Sequence, residues 1–131
     1  MVGLSTLMDH SGMTFQLAEL FSSLFGSLFP LVSTYIGMLG AFATGSNNNS
    51  NVLFAPLQEK IALILNLSPA MIVAAQTTGG SLGSMIAPAK VIVGCSTVGL
   101  QGRDGEVLKI TILYGLLIGL VMGVVTLVLI R

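Results

Sequence analysis

Two polar stretches punctuated by glycine interrupt an otherwise apolar chain, at residues 44–51 (TGSNNNSN) and 76–84 (QTTGGSLGS). Apolar sequence suited to a membrane interior flanks each of them on both sides. Irregular backbone at membrane depth is tolerated only where it is buried in protein or lines a watery cavity. A pair of interrupted apolar segments is also typical of the binding site of a transporter. We therefore expect both stretches to face one internal cavity.

The composition indicates the class of protein. Of 131 residues, 53% are hydrophobic and 8% are charged, whereas soluble domains carry about 25% charged residues. Five basic and five acidic residues give a net charge of zero, without the basic patch that nucleic-acid binding needs. His10 is the single histidine, and nothing in the sequence places it beside a serine nucleophile, which argues against a Ser/His catalytic site. We expect an all-α integral membrane protein in a lipid bilayer, with no nucleic-acid partner and no enzymatic activity.

The apolar segments predict five units. Residues 1–13 end a helix, 14–29 form an interfacial amphipathic helix, 30–66 form a re-entrant helical hairpin, 68–100 form a broken transmembrane helix, and 107–130 form a continuous transmembrane helix. The hairpin follows from length, because arms of about 21 Å do not cross a hydrocarbon core of about 30 Å. For 14–29 the alternative is the first part of a long spanning helix.

Three finer expectations belong to these units. The broken helix is interrupted at residues 77–83 and resumes near Pro88. In the last helix, Gly115, Gly119 and Gly123 form a stripe of small residues that lets a neighbouring helix pack closely. Residues 58–60 (QEK) lie toward the far end of the second hairpin arm, where they reach lipid headgroups.

The polar stretches predict a binding site for a small carboxylate. Hydroxyl and amide side chains replace the water of a ligand without adding a permanent charge, and helix N-termini favour an anion. Ser50 and Asn51 are expected to cap the second hairpin arm. The predicted substrate-binding residues are Ser46, Asn47, Asn48, Asn49, Ser50, Asn51, Thr77, Thr78, Gly79, Gly80 and Lys90.

Lys90 is the one basic residue expected deep in a span. A charged group at such depth is costly and is by default a functional hypothesis. Lys90 would neutralise the bound carboxylate, or exchange a proton if burial lowers its pKa. The alternative is a lysine whose ammonium reaches water or the interface.

Three blocks of sequence resemble a known family. They are GAFATGSNNNSNVLF at residues 40–54, SPAMIVAAQTTGGSLGSMIAP at 68–88 and VGLQGRDGEV at 98–107. In order and spacing they resemble the C-terminal part of the L-lactate permease family, which is distantly similar to the ion-transporter superfamily with re-entrant hairpins. Where the family pattern has a lysine, this chain has Ser84, and Lys90 is expected to compensate for it.

The resemblance implies a multi-pass carrier in the cytoplasmic membrane. It would take up L-lactate, and often glycolate, together with protons as the coupling ion, and would need no cofactor. Family proteins are several times longer, so the chain is expected to be a C-terminal fragment whose partner is the N-terminal part of the same permease.

Two rival interpretations stay open. One is a sodium-coupled carrier of di- or tricarboxylates, against which the single buried cation, Lys90, argues. The other is a membrane scaffold subunit in which the glycines only pack helices. A scaffold would tolerate apolar replacements at Asn47 and Thr78, whereas a carrier would not.

Overall fold

The computed structural model describes residues 1–130, and Arg131 lies outside this described part. The prediction of an all-α protein is confirmed for residues 1–130, which contain helices and no strand. The helices are α1 (Val2–His10), α2 (Met13–Phe25), a 3-10 turn (Gly26–Leu28), α3 (Phe29–Thr44), α4 (Asn47–Ile64), α5 (Pro69–Met85), α6 (Pro88–Thr97) and α7 (Asp104–Leu129).

Two stretches of these residues are long and apolar enough to cross a membrane. They are Met13–Thr44, which joins α2 and α3 through the 3-10 turn over 32 residues, and α7 with 26 residues. This criterion uses length and composition alone. The interfacial position of 14–29 and the re-entrant course of 30–66 therefore stay predictions.

Helix α3 is the centre of the fold, because it packs against α4, α5 and α7. Contacts between Ser33 and Gln58, and between Gly37 and Ser50, show that α4 runs antiparallel to α3. Half of α3 is buried, at Phe29, Pro30, Ser33, Thr34, Gly37, Met38, Gly40 and Ala41. The chain on either side of the first polar stretch therefore folds back as a helical hairpin.

The expectation of unwound backbone at residues 77–83 is wrong, because α5 is helical throughout Pro69–Met85. Two of its glycines touch the backbone of α3: a Cβ on Gly79 would overlap the carbonyl of Thr34, and a Cβ on Gly83 would overlap that of Met38. A glycine inside a helix costs about 1 kcal/mol relative to alanine. Close helix packing offsets this cost, and in an apolar setting a helix also keeps its peptide hydrogen bonds internal.

The second interruption lies later, at Ile86 and Ala87, between α5 and α6. Ala87 is extended, with φ −61° and ψ 132°, and Pro88 begins α6. Proline lacks an N–H and disfavours helical backbone at the residue before it. The proline therefore places the break, and α6 resumes where the sequence predicts.

The first interruption is only two residues long. Gly45 ends α3 with a left-handed φ of 70°, a conformation that glycine adopts without strain. Ser46 is extended, and its Oγ accepts a hydrogen bond from the Asn49 N–H at 3.3 Å. Ser46 is thus the N-cap of α4. The expectation that Ser50 and Asn51 cap this helix is wrong, because both already lie within it.

The predicted close packing at the glycine stripe of α7 is confirmed, with Gly119 and Gly123 against α3 and Gly115 against Ile86. Gly115, Gly119 and Gly123 are all buried. A Cβ on Gly123 would lie 2.8 Å from the Leu31 carbonyl oxygen. Beside this stripe, the Tyr35 hydroxyl donates to the Leu116 carbonyl oxygen at 3.0 Å.

Candidate functional site

A line of polar contacts joins the first turns of α4 to the second half of α5. We call it the polar seam. It comprises three contacts, which pair Asn51 with Thr77, Asn47 with Ser81, and Gly45 with Ser84. The α5 residues of the seam stand four and three positions apart, so they share one face of the helix.

The first two contacts are between side chains. The Thr77 hydroxyl donates to Val73 O in its own helix at 3.0 Å and lies 3.4 Å from Asn51 Oδ1, and Asn47 Nδ2 donates to Ser81 Oγ at 2.9 Å. Within residues 1–130, Asn47 Oδ1 is buried without a hydrogen-bond partner, and it packs against Gly80, where a Cβ would overlap it. Gly80 therefore leaves space for an asparagine amide rather than forming a loop.

The third contact brings Lys90 to the seam. The Ser84 hydroxyl lies 3.4 Å from the carbonyl oxygen of Gly45, to which it donates, and Lys90 Nζ donates to Ser84 Oγ. Gly45 belongs to the first interruption, and Ser84 and Lys90 flank the second. The ammonium of Lys90 thus lies at the place where the two interruptions meet.

A cavity of about 420 Å³ lies between the two interruptions. Its lining comes from the end of α3 and the start of α6, and consists of Phe42, Ala43, Thr44, Gly45, Ala87, Pro88 and Ala89. The start of a helix carries a partial positive charge of roughly half an elementary charge. The first turn of α6 and the nearby Lys90 therefore make this end of the seam favourable for a small anion.

Below the seam lies a buried network of uncharged polar side chains. Ser33, Ser50, Gln58 and Gln76 are each 0% exposed. Ser33 Oγ donates to Gln58 Oε1, Gln58 Nε2 donates to Gln76 Oε1, and Gln76 Nε2 donates to Ser50 Oγ at 3.0 Å. The network therefore ties α3, α4 and α5 together at one level of the bundle.

The chain as a whole matches one protein family. The family described as L-lactate permease matches residues 1–131. The chain belongs to the L-lactate permease family. Members of this family are transport proteins rather than enzymes.

Several curated relatives agree with this assignment. Glycolate permease GlcA of Escherichia coli K12 is 40% identical over 119 residues, which are 91% of this chain and 21% of the relative. The L-lactate permease of Bacillus subtilis 168 is 37% identical over 125 residues, which are 95% of this chain and 22% of the relative. The chain thus spans about a fifth of the length of the curated relatives it matches. No solved structure matches the chain significantly.

The structure brings several of the predicted site residues of this permease chain together. Asn51 meets Thr77, Asn47 meets Gly80, and Lys90 lies on Ser84 at the far end of the same seam. These contacts place residues from both polar stretches along one line, although the stretches themselves are largely helical.

Other predicted site residues have different surroundings. Ser46 caps α4 through the Asn49 N–H, Asn48 is exposed, and Ser50 is buried in the network below the seam. The hydroxyl of Thr78 donates to Ala74 O inside its own helix at 2.9 Å, and Gly79 packs on Thr34. The role of each in substrate binding stays a prediction.

Sequence reasoning missed the residues that connect these parts, namely Ser33, Gln58, Gln76, Ser81 and Ser84. The expectation that Gln58 lies near headgroups is wrong, because it is fully buried in the network. A neutral amide inside an apolar segment is a signal for a hydrogen bond between helices. The signal is present in the sequence at both glutamines, but it does not identify their partners.

Proposed function

We propose that this chain forms part of a multi-pass carrier that moves L-lactate, glycolate or a similar small 2-hydroxy monocarboxylate across the cytoplasmic membrane with protons. The proposal rests on the family, on relatives named as lactate and glycolate permeases, and on the site geometry. The remainder of the permease would complete the carrier, since the chain spans about a fifth of those relatives.

The observation that carries the proposal is the contact that joins Lys90, Ser84 and Gly45 across the two interruptions. One ammonium and the first turn of α6 would hold one carboxylate in the neighbouring cavity. The hydroxyls of Ser84 and Thr44 would then be near enough to exchange hydrogen bonds with the 2-hydroxyl of the ligand. The resemblance predicts a lysine at position 84. This chain has Ser84 there instead, and the Lys90 ammonium donates a hydrogen bond to its hydroxyl.

The uptake kinetics of the full-length permease test this site. We expect Lys90→Ala to reduce lactate uptake at low concentration by about tenfold or more, because a hydrogen bond to a charged group contributes about 1.5–3 kcal/mol. Lys109→Ala is the matched control, since Lys109 is exposed like Lys90 but lies on α7 and takes part in none of the seam contacts, and it should transport normally. Wild-type kinetics in Lys90→Ala would refute the proposed site.

The coupling ion is tested separately. Collapsing the proton gradient with a protonophore should abolish accumulation of radiolabelled lactate, while replacing sodium with potassium should leave it unchanged. Loss of uptake on removing sodium alone would instead support the sodium-coupled alternative.

The re-entrant course of 30–66 is part of the same proposal. In a hairpin that enters and leaves on one side, the tip at Asn48 lies within the membrane and opens to a watery cavity. Asn48→Cys should then react with a small membrane-permeant thiol reagent, and lactate should slow the reaction. If a large impermeant reagent, added on the side opposite to the hairpin ends, modified the new thiol at full speed, α3 would be shown to cross completely.

A further inference from the structure

The buried network below the polar seam forms a chain of hydrogen bonds with a single direction. Starting from α3, the Ser33 hydroxyl is nearest to Gln58 Oε1 and lies 3.1 Å from the Ile72 carbonyl oxygen, Gln58 donates to Gln76, and Gln76 donates to Ser50. The Ser50 hydroxyl then donates to the Gly37 carbonyl oxygen at 2.8 Å. The chain therefore leaves α3 at Ser33 and returns to it one helical turn later. Hydrogen bonds that all point the same way polarise and strengthen one another in a low-dielectric interior.

Both amide groups are fully used. Gln58 Nε2 donates to Ser33 O at 3.0 Å as well as to Gln76. Gln76 Nε2 donates to Ser50 Oγ and also points to Asn51 Oδ1 at 3.4 Å. A buried amide that loses one partner leaves a donor or acceptor unpaired, which costs about 1–3 kcal/mol. The rotamers of both glutamines are thus fixed by their surroundings.

Gln76 is the point at which this network reaches the polar seam. Its partner Asn51 also meets Thr77, with Asn51 Oδ1 3.4 Å from the Thr77 hydroxyl oxygen, and its partner Ser50 lies next to Asn51 in the first turns of α4. The main chain of Gln76 is held as well, because a Cβ on Gly37 would overlap its carbonyl oxygen. Gln76 is therefore fixed against α3 and, through its amide, fixes the start of α4.

We propose that Gln76 is a positioning residue for substrate binding, which sets the rotation of the start of α4 relative to α5 without touching the ligand cavity. The proposal rests on the carrier function proposed above. The lining of the cavity includes Gly45, two residues before α4 begins, so a rotation of α4 displaces Gly45 from Ser84 and Lys90. Gln58 helps to fix the Gln76 side chain by donating a hydrogen bond to its Oε1.

Kinetics of the full-length permease distinguish positioning from simple support of the fold. Gln76→Leu should raise the KM for lactate by about tenfold, equivalent to about 1.4 kcal/mol, while the maximal rate per molecule in the membrane changes little. The double variant Gln58→Leu/Gln76→Leu removes both amides and should be at least as abundant as the single variant, because two matched apolar groups cost less than one unpaired amide. Its KM should stay raised, since the double variant still lacks the Gln76 amide that sets the rotation of the start of α4.

Thr126→Val is the matched control. Thr126 is also buried, but its hydroxyl donates only within α7, to Met122 O at 2.8 Å. It should keep the wild-type KM. A normal KM in Gln76→Leu, or in the double variant if the single one fails to reach the membrane, would overturn the proposal. Reduced abundance with an unchanged KM would show that Gln76 only stabilises the fold.

A second measurement does not depend on transport. Cysteines at positions 47 and 81 replace two side chains in direct contact, and with the other cysteine replaced they should form a disulfide when Gln76 is present and a mild oxidant such as copper phenanthroline is added. Adding Gln76→Leu should slow this disulfide clearly. An unchanged rate of cross-linking would overturn the positioning role even if the permease carries lactate. A slowed rate in a permease that does not carry lactate would reject the carrier function and keep the geometric claim.

Discussion

Helix α5 meets its two neighbours by opposite means. Toward α3 it presents Gly79 and Gly83, and the two backbones touch because no side chain stands between them. Toward α4 it presents Thr77 and Ser81, which meet Asn51 and Asn47 through polar side chains, and Ser84 donates to Gly45 O just before α4 begins. The contact between α5 and α3 depends on the missing side chains of the glycines. The contact between α5 and α4 depends on particular polar groups.

This difference has a consequence for function. A backbone contact has little freedom to change without moving the whole helix, so the contact between α3 and α5 is suited to a rigid frame. Hydrogen bonds between hydroxyl and amide groups can be exchanged for bonds to a ligand at modest cost. The polar seam is therefore the side of α5 suited to binding, and the glycine face is the side suited to holding it in place.

The largest effect is expected from adding one methyl group to the glycine face. In Gly79→Ala the new Cβ would overlap the Thr34 carbonyl, so α3 and α5 must separate, at a cost of about 3 kcal/mol or more. The full-length permease should lose much of its thermal stability in detergent. Gly94→Ala is the control, because among residues 1–130 no atom outside its own stretch of helix lies within 4 Å of the added Cβ. Equal stability of the two variants would show that backbone contact does not hold this pair.

A smaller effect is expected where helices are close but not overlapping. In Gly123→Ala the Cβ would lie 2.8 Å from the Leu31 carbonyl oxygen, so α7 must shift by a fraction of an ångström, at about 1–2 kcal/mol. Gly115→Ala faces only the flexible end of Ile86, at 3.1 Å, and should be nearly neutral. Thermal unfolding should rank Gly79→Ala, Gly123→Ala and Gly115→Ala in that order of damage, and a different order would contradict the packing account.

On the polar face the effect on binding should exceed the effect on stability. Asn47→Ala removes the bond to Ser81 but also removes a buried oxygen that has no partner in the described part of the chain. We therefore expect a loss of stability of less than about 1 kcal/mol, together with a clear fall in lactate uptake. A stable variant with normal uptake would place substrate binding elsewhere.

The smallest effect is expected for a polar contact that is open to solvent. Asp9, at the end of α1 and outside both candidate spans, pairs with Lys60. The hydrogen bond from Lys60 and its positive charge hold the pKa of Asp9 below its usual range. Since the folded-state pKa is lowered, the pair stabilises the fold above the unfolded value of about 3.9 and loses this effect as the pH falls through the folded value.

Asp9→Asn should therefore be slightly less stable than the wild type at neutral pH, and the difference should vanish in acid. Both side chains are substantially exposed, and exposed pairs contribute little. Thermal unfolding at neutral and at acid pH measures the difference. A large loss at neutral pH would show that α1 is held to α4 more firmly than an exposed pair allows.

Much of the helical plan could be predicted from local sequence. The proline at position 88 predicts the restart of α6, the stripe at Gly115, Gly119 and Gly123 predicts close packing of α7, and the polar run after Thr44 predicts a turn between two helices. Each of these is a local property of the chain, such as a fixed φ, a missing N–H or a missing side chain.

The errors at residues 77–83 and at Gln58 concern residues whose conformation or partners are decided from a distance. Gly79 and Gly80 are compatible with a loop and with a closely packed helix, and only Thr34 and Asn47 on neighbouring helices select the helix. Gln58, followed by Glu59 and Lys60, looks like a surface residue until Ser33 and Gln76 are seen to enclose it.

The sequence by itself determined that this protein is helical and apolar, with interruptions on either side of a central segment, because those properties follow from composition and from the backbone limits of glycine and proline. The tertiary structure decided which polar groups meet, since Lys90 reaches Ser84, and Gln76 reaches Gln58, only after the helices have packed. Glycine permits several backbone states, and a neutral amide accepts many partners. The backbone state of each glycine and the partner of each amide are decided by the groups that the neighbouring helices place within contact distance.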